Sequence, residues 1–270
     1  EARAAGVPVV AMAAGGVRAQ FSDRINIELG LRSLETFENF GERFNQEIDL
    51  HKVGYLFLLD SAATVSAFEQ NVALQNDLGV PSRMISVAEA KQLSPLISTE
   101  GLLAAAFSPT DGHCTPESVV LGYATAARRK GARLIANCAA TGIERNCDRI
   151  VAVNTEGGRI EADTVICVAG AWSKEVGEWV GVDLPVTPLR RQILVTDPPP
   201  FLDPPTPLPI VFPQRFSLPR QGPAPRSVTS TPPTTPACRA RRAAVGARAG
   251  AYAENAGVDR IPTFLGQLDP

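Results

Sequence analysis

From Pro204 to Ala253 the chain has no Asp, Glu or Lys, although arginines continue through that stretch. Pro198 to Pro236 alone holds 14 prolines in 39 residues. Such a segment is short of backbone donors and of any periodic apolar face, so a disordered Pro-rich tail is expected. Arg, Pro, Ala and Thr without Lys is also what GC-rich DNA gives in a shifted reading frame, and that origin is the sharper expectation. Cysteine is sparse and scattered: Cys114, Cys138, Cys147, Cys167 and Cys238, with no C-x-x-C pair. An odd, dispersed set points to a reducing cytoplasm rather than a disulfide framework. Only His51 and His113 represent histidine, so a zinc centre is not expected. No apolar run is long enough to span a bilayer, and the N-terminus lacks the three regions of a signal peptide. The net charge of −2 gives no reason to expect nucleic acid or an anionic membrane as partner. The chain opens on Glu1 rather than Met, which leads one to expect sequence upstream.

What is present reads as alternating helices and short strands. Ser22 to Phe44 has helical spacing, with Ile25, Leu29, Phe37, Phe40 and Phe44 on one stripe and Ser22 or Asp23 as cap. Val53 to Leu59 is a strand, and Ser61 opens a helix to about Leu78 that turns Val65, Phe68 and Val72 inward. Ser86 and Glu89 have capping-box spacing, and Leu102 to Phe107 is a further strand. Thr115-Pro116-Glu117 combines a cap, a proline at the first helical position and an acid at the positive end of the helix dipole. That helix stops at Gly131. Short strands follow at Arg133 to Ala136, Ala139 to Glu144 and Arg149 to Thr155, with a turn at Gly157-Gly158. Arg190 to Thr196 is a later strand.

The most telling stretch is Gly158 to Ser173, GRIEADTVICVAGAWS. Thr164 to Val168 is β-branched and uncharged, as in a strand covered on both faces. The small residues Ala169, Gly170 and Ala171 at its carboxyl end allow close approach of a ligand, and Trp172 follows. The pattern resembles the late strand of flavoproteins of the D-amino-acid oxidase and sarcosine oxidase superfamily. Three other segments, in order, carry the same resemblance. Ala14-Gly15-Gly16-Val17-Arg18-Ala19-Gln20-Phe21 is similar to the G-G-[IV]-R-x-x-F turn at the flavin. Asp111-Gly112-His113-Cys114-Thr115-Pro116 is similar to the D-G-x-x-[DT]-P start of the central helix. Pro185-Val186-Thr187-Pro188-Leu189-Arg190-Arg191-Gln192 is similar to P-[VI]-x-P-x-[RK]-[RG]-Q. Together they extend from Ala14 to Asp197.

The resemblance implies an α+β protein: an incomplete FAD-binding domain (Rossmann-like, glutathione-reductase type), an antiparallel-sheet substrate domain and the Pro-rich tail. Residues 1–44 and 109–185 would form the discontinuous FAD-binding part, 45–108 and 186–216 the substrate part, and 217–270 the tail. It implies that the Gly15-Gly16-Val17 backbone lies against FAD, and that Arg18 takes the chemical role by stabilising reduced flavin or a substrate carboxylate. Ala140 would face the adenine, where the family has valine. Ala169, Gly170 and Trp172 would line the cofactor groove. The residues by themselves also allow plainer readings: Arg18 as a surface arginine before a helix, Ala140 as a strand residue, Trp172 as core packing, His51 as a surface histidine.

The family's G-x-G-x-x-G and its ribose-binding acid do not occur here. Ala5-Gly6-Val7-Pro8-Val9-Val10 reads as the end of that first unit, with Met12 and Ala13 where the acid is expected. The substrate-closing carboxyl-terminal part finds no counterpart in Gln214 to Pro270. Weak FAD binding and marginal stability are therefore expected. The function implied is FAD-dependent oxidation of the C–N bond of a small amino acid or N-methyl amino acid, by hydride transfer and imine hydrolysis. The alternatives are a non-catalytic remnant, a subunit that needs a partner chain, and a binding module on the same scaffold without FAD.

Overall fold

The structure is a computed structural model that describes residues 15–95, 97–188, 192–195, 206–212, 216–217, 220–221 and 224–229. Its elements follow the chain as β1 (Gly16–Val17), α1 (Arg24–Glu38), α2 (Phe40–Phe44), β2 (Tyr55–Leu59), α3 (Ala62–Asp77), β3 (Arg83–Ile85), α4 (Val87–Leu93), β4 (Ala104–Ser108), β5 (Gly112–His113) and α5 (Pro116–Arg129). Then come β6 (Ala140–Asn146), β7 (Arg149–Thr155), β8 (Gly158–Glu161), a 3-10 turn at Gly170–Trp172 and α6 (Ser173–Glu178). The last strands are β9 (Gln192–Val195), β10 (Leu208–Phe212), β11 (Phe216–Ser217), β12 (Arg220–Gln221) and β13 (Ala224–Thr229). The fold mixes helix and sheet. It divides into two compact units: a larger one that runs to Arg129 and resumes at Arg191, and a smaller one at Lys130–Arg190.

In the larger unit local signals place the helices. Asp23 accepts from the Asn26 amide at 3.0 Å, Ser61 from Thr64 at 3.3 Å, and Ser86 from Glu89 at 3.2 Å, satisfying donors a helix start leaves open. The stretch expected as one helix to Phe44 breaks at Asn39, whose side-chain amide donates to the Glu35 carbonyl at 2.8 Å. Its stripe also differs from the expected one. Ile27, Gly30 and Leu34 face the core, while Ile25 and Leu29 are exposed. The small Gly30 lets the helix close on the chain at Ala19, which rotates the buried face away from the two larger residues.

β2 is buried along its whole length. It runs antiparallel to β4 and parallel to β10, and β3 adds to the far side of β4. β11, β13, β12 and β9 extend the β10 side, every one of those pairs being antiparallel. The Pro-rich stretch was expected to be short of sheet donors and to be a disordered tail from residue 217 on, yet β10 lies in the stretch and β12 and β13 lie beyond residue 217. The Leu208 amide donates to Gly54 toward β2 at 2.9 Å. Side-to-side alternation then turns Pro209 away from β2, and the β11 ladder begins only at Ile210. The missing N–H falls where no donor is needed. Residues 230–270, the rest of the expected tail, lie outside the described residues, as do Ala5 to Ala14.

The smaller unit is the antiparallel meander β6-β7-β8 followed by irregular chain and α6. Two expected strands are absent from it. Arg133 to Ala136 is irregular and exposed. Thr164 to Val168 is irregular too, with Ile166 82% and Val168 88% exposed. Branched side chains favour extended backbone, but a strand persists only where a neighbour takes its N–H and C=O groups. Among the described residues none does so here. α5 ends with the larger unit.

Candidate functional site

The expected site residues fall in both units. In the larger unit, Gly15 has φ 79°, a left-handed conformation open to glycine, and its carbonyl accepts from the Cys114 amide at 2.9 Å. Gly16 pairs with His113 and Val17 with Gly112, so β1 and β5 hold the turn as a two-stranded ladder. His51 lengthens that ladder by exchanging backbone hydrogen bonds of 2.9 and 3.0 Å with His113. The His51 ring is exposed, with Nε2 2.8 Å from Asp49 Oδ1.

Arg18 leaves the turn half-buried. Its guanidinium carbon lies 4.5 Å from the centre of the Phe21 ring and 5.5 Å from that of Phe57. Those faces hold a cation without neutralising it. The turn and α1 enclose an open groove of about 380 Å3, lined among others by Gly16, Val17, Arg18, Leu29, Gly30 and Ser33. A larger groove of about 580 Å3 runs past Glu38, Glu47, Asp49 and Lys52 but touches none of the expected site residues. Its lysine is already paired with Glu38 at 2.9 Å.

Two residues that sequence reasoning left without a role stand beside the turn. Tyr55, read only as part of a strand, packs on Gly16 so closely that a Cβ there would collide with its hydroxyl. Burial pushes the Tyr55 phenol up to about 12, with Arg18 pulling down and Asp111 and Cys114 adding to the rise. Asp111, quoted only within a motif, is fully buried. Its Oδ1 accepts from the Ala19 amide at 3.0 Å, and its own carbonyl accepts from Gly54 at 2.8 Å. Burial raises its carboxyl to about 6, against the Ala19 and Gln20 amides, the Ser108 hydroxyl and Arg18, which all favour the charged form. Oδ2 has no hydrogen-bond partner among the described residues, nor has either side-chain polar atom of buried Gln20. The motif Asp111-Gly112-His113-Cys114-Thr115-Pro116 was the available signal for Asp111. Nothing local marked Tyr55.

In the smaller unit, Ala140 is exposed at the start of β6, opposite Thr155. Ala169 accepts from the Trp172 amide at 3.1 Å to close the 3-10 turn, and Gly170 at its start has φ 55°. A Cβ at Gly170 would meet nothing within 4 Å. Trp172 is 38% exposed rather than packed in a core. In the fourth motif, Leu189 to Arg191 lie outside the described residues. Among the described residues, no helix is long and apolar enough to cross a membrane.

Comparison with known proteins gives the site a family. A family model described as DAO, FAD dependent oxidoreductase, matches residues 10–257. The match continues past Asp197 and through the Pro-rich stretch, which corrects the expectation that the family's sequence has no counterpart beyond Gln214. Dimethylglycine dehydrogenase, mitochondrial, of Rattus norvegicus is 28% identical over 184 residues, covering 68% of this chain and 22% of that protein. Sarcosine dehydrogenase, mitochondrial, of Mus musculus is 32% identical over 149 residues, 53% of this chain and 16% of that one. The chain thus spans about a fifth of the length of these curated relatives. The crystal structure of L-proline dehydrogenase from P. horikoshii shares the fold, with a TM-score of 0.80 at 24% identity over 94% of this chain and 67% of that chain.

Proposed function

This chain belongs to the DAO family of FAD dependent oxidoreductases, and from that premise we propose that it serves the oxidation of the C–N bond in a small amino acid or N-methyl amino acid. The observation that carries the reading is the groove at Gly16, Val17 and Arg18. Its residues suit a flavin. Gly16 offers bare backbone on an exposed face, Leu29 an exposed apolar side chain, and Arg18 a charge that the rings beside it leave intact. FAD, when bound, would accept a hydride, with its two electrons, from the carbon next to the nitrogen; the nitrogen lone pair then makes the C=N bond, and the resulting imine hydrolyses in water.

The chain's own part is binding and electrostatics. Gly15 and Gly16 hold backbone close to the cofactor face, and β5 fixes them. Arg18 presents a positive charge where negative charge develops or where a substrate carboxylate docks. Ala140, Ala169, Gly170 and Trp172 are proposed as the smaller unit's contribution to cofactor binding. Residues 1–44 and 109–185 are proposed as the FAD-binding part and 45–108 with 186–216 as the substrate part. The β1–β5 ladder supports grouping the first two segments. The relatives' names, dimethylglycine and sarcosine dehydrogenase, support an N-methyl amino acid as substrate.

The test is the visible absorption spectrum of the purified chain before and after incubation with FAD, followed by gel filtration. A flavin spectrum that the protein perturbs on incubation, that gel filtration weakens because binding is weak, and that bleaches when sarcosine or dimethylglycine is added to the incubated mixture without oxygen, is the expected result. Arg18→Ala is expected to keep the spectrum and slow bleaching by about a hundredfold. Bound flavin that no amine bleaches would favour a chain that does not act by itself. A colourless protein that takes up no FAD would overturn the reading.

A further inference from the structure

Of the described acidic side chains, Asp111 is the one that is buried. At neutral pH that position works against stability, because burial disfavours the charged carboxylate. Asparagine has nearly the same shape and could accept the same Ala19 hydrogen bond without a charge. Packing therefore does not account for an acid at this place.

The surroundings show what the acid holds. The Ala19 amide, 92 residues away in sequence, donates to Oδ1 at 3.0 Å, and the Gln20 amide also favours the charged form. Those are the two peptide groups that follow Arg18. A trans peptide is planar, so its N–H and C=O point in opposite directions. With the Ala19 N–H on Asp111, the Arg18 carbonyl faces the other way. There it meets α1 at Gly30, where a Cβ would come within 2.9 Å of the Arg18 oxygen and of the Ala19 Cα. The peptide between Arg18 and Ala19 is thus clamped between a carboxylate on one edge and a bare glycine on the other. Tyr55 closes the front of the turn against Gly16. The only soft part left in Arg18 is its side chain, which the Phe21 and Phe57 rings steady.

We propose that Asp111 is a positioning residue: its carboxylate, opposed by Gly30, locks the Arg18–Ala19 peptide plane and thereby sets where the Arg18 guanidinium stands at the groove. The inference rests on the reading that this groove takes the flavin. Arg18 stays charged beside it, and burial keeps the Tyr55 phenol and the Cys114 thiol protonated, raised to about 12 and about 11. The remaining titratable neighbours are the imidazoles of His113 on β5 and of His51, which is paired with it. Protonating Asp111 would exchange a charged acceptor for a weaker, neutral one and loosen the hold on the two amides.

The experiment follows the amide proton shifts of Ala19 and Gln20 by NMR in the full chain while pH is varied through about 6. The same series is run on the FAD-loaded protein, with the visible circular dichroism of the flavin as a second readout. The two amide signals are expected to move together with a midpoint of about 6, and Asp111→Asn should abolish that transition while leaving any histidine transition in place. The flavin signal should follow the same midpoint in the wild type and stay flat in Asp111→Asn. Amides that do not move together, or that titrate unchanged in Asp111→Asn, would overturn the proposal. Amides that titrate while the flavin signal stays flat would uphold Asp111 as the clamp and sink the assignment of the groove to the flavin. If Asp111→Asn does not fold, the wild-type titration of the two amides decides alone.

Discussion

The two units contain the same kinds of apolar residue and use them differently. In the larger one Ile27, Phe40, Leu56, Leu58, Leu59 and Val80 are fully buried; Ile27, Phe40 and Val80 share one cluster with Val17 of β1, and Leu59 belongs to a second that joins α3 to the mixed sheet. Among the described residues between Lys130 and Arg190 the one hydrophobic residue buried is Ala152, while Leu134, Ile135, Ile160, Ile166, Val168 and Val182 are exposed. The smaller unit is held by its strand ladder and by polar contacts. Arg159 reaches Glu144 at 2.8 Å and Glu161 at 2.9 Å, and Arg145 donates to the Val180 carbonyl at 3.1 Å. Exposed pairs of this kind add little. Apolar composition alone therefore makes no core. What matters is whether each apolar segment has an element laid against it.

The comparison can be broken most forcefully at Phe40. Its ring is fully buried, 4.5 Å from Phe44 and 5.1 Å from Tyr123 between centres. Phe40→Ala should cost the larger unit about 3–5 kcal/mol. The chain's two tryptophans, Trp172 and Trp179, both lie in the smaller unit. Urea unfolding followed by helical circular dichroism should shift strongly, while the tryptophan transition should not. A common shift of both would mean that the units melt as one.

A smaller effect separates charge from packing. The Asp111 carboxyl is raised from 3.8 to about 6 in the folded chain. The folded state thus holds the proton more tightly than the unfolded state. The corresponding stability is present below about 3.8 and is lost as pH rises through about 6. Asp111→Asn has no such proton to lose. Relative to the wild type it should gain up to about 3 kcal/mol across that window, with no further gain above it. Urea midpoints measured across the same pH range check this, and a constant difference would refute it. The smallest effect is expected at Ile166, 82% exposed. Ile166→Ala should change stability by no more than about 0.5 kcal/mol. A loss of several times that, read by tryptophan fluorescence, would show that the segment is covered in solution.

The same contrast explains what could be read in advance. Caps are local, so Asp23, Ser61 and Ser86 were legible from a few neighbouring residues. β2, β4 and β7 were legible because their residues suit strands and partners were at hand. Thr164 to Val168 had the same composition but no described neighbour, and composition could not report that. β10 was hidden for the opposite reason. Pro209 within it and the prolines on either side hide the strand signal, while its partner β2 lies far back in the chain. Arg18, proposed for the site, was singled out through the motif around it. Asp111, Tyr55 and Gly30 act on the turn only through contacts that the fold creates.

The parallel pairing of β2 with β10 also sets a clock. Leu59 ends β2 and Leu208 begins β10, 149 positions later. On a ribosome that interval takes roughly 7–30 s at ordinary elongation rates. The whole of Lys130–Arg190 emerges within it. During that time one edge of the most apolar strand has no β10 to pair with, and such edges invite strands from other chains. The nascent larger unit is thus most vulnerable to aggregation after its helices have formed and before its sheet is complete, which makes translation speed between these two strands a determinant of yield.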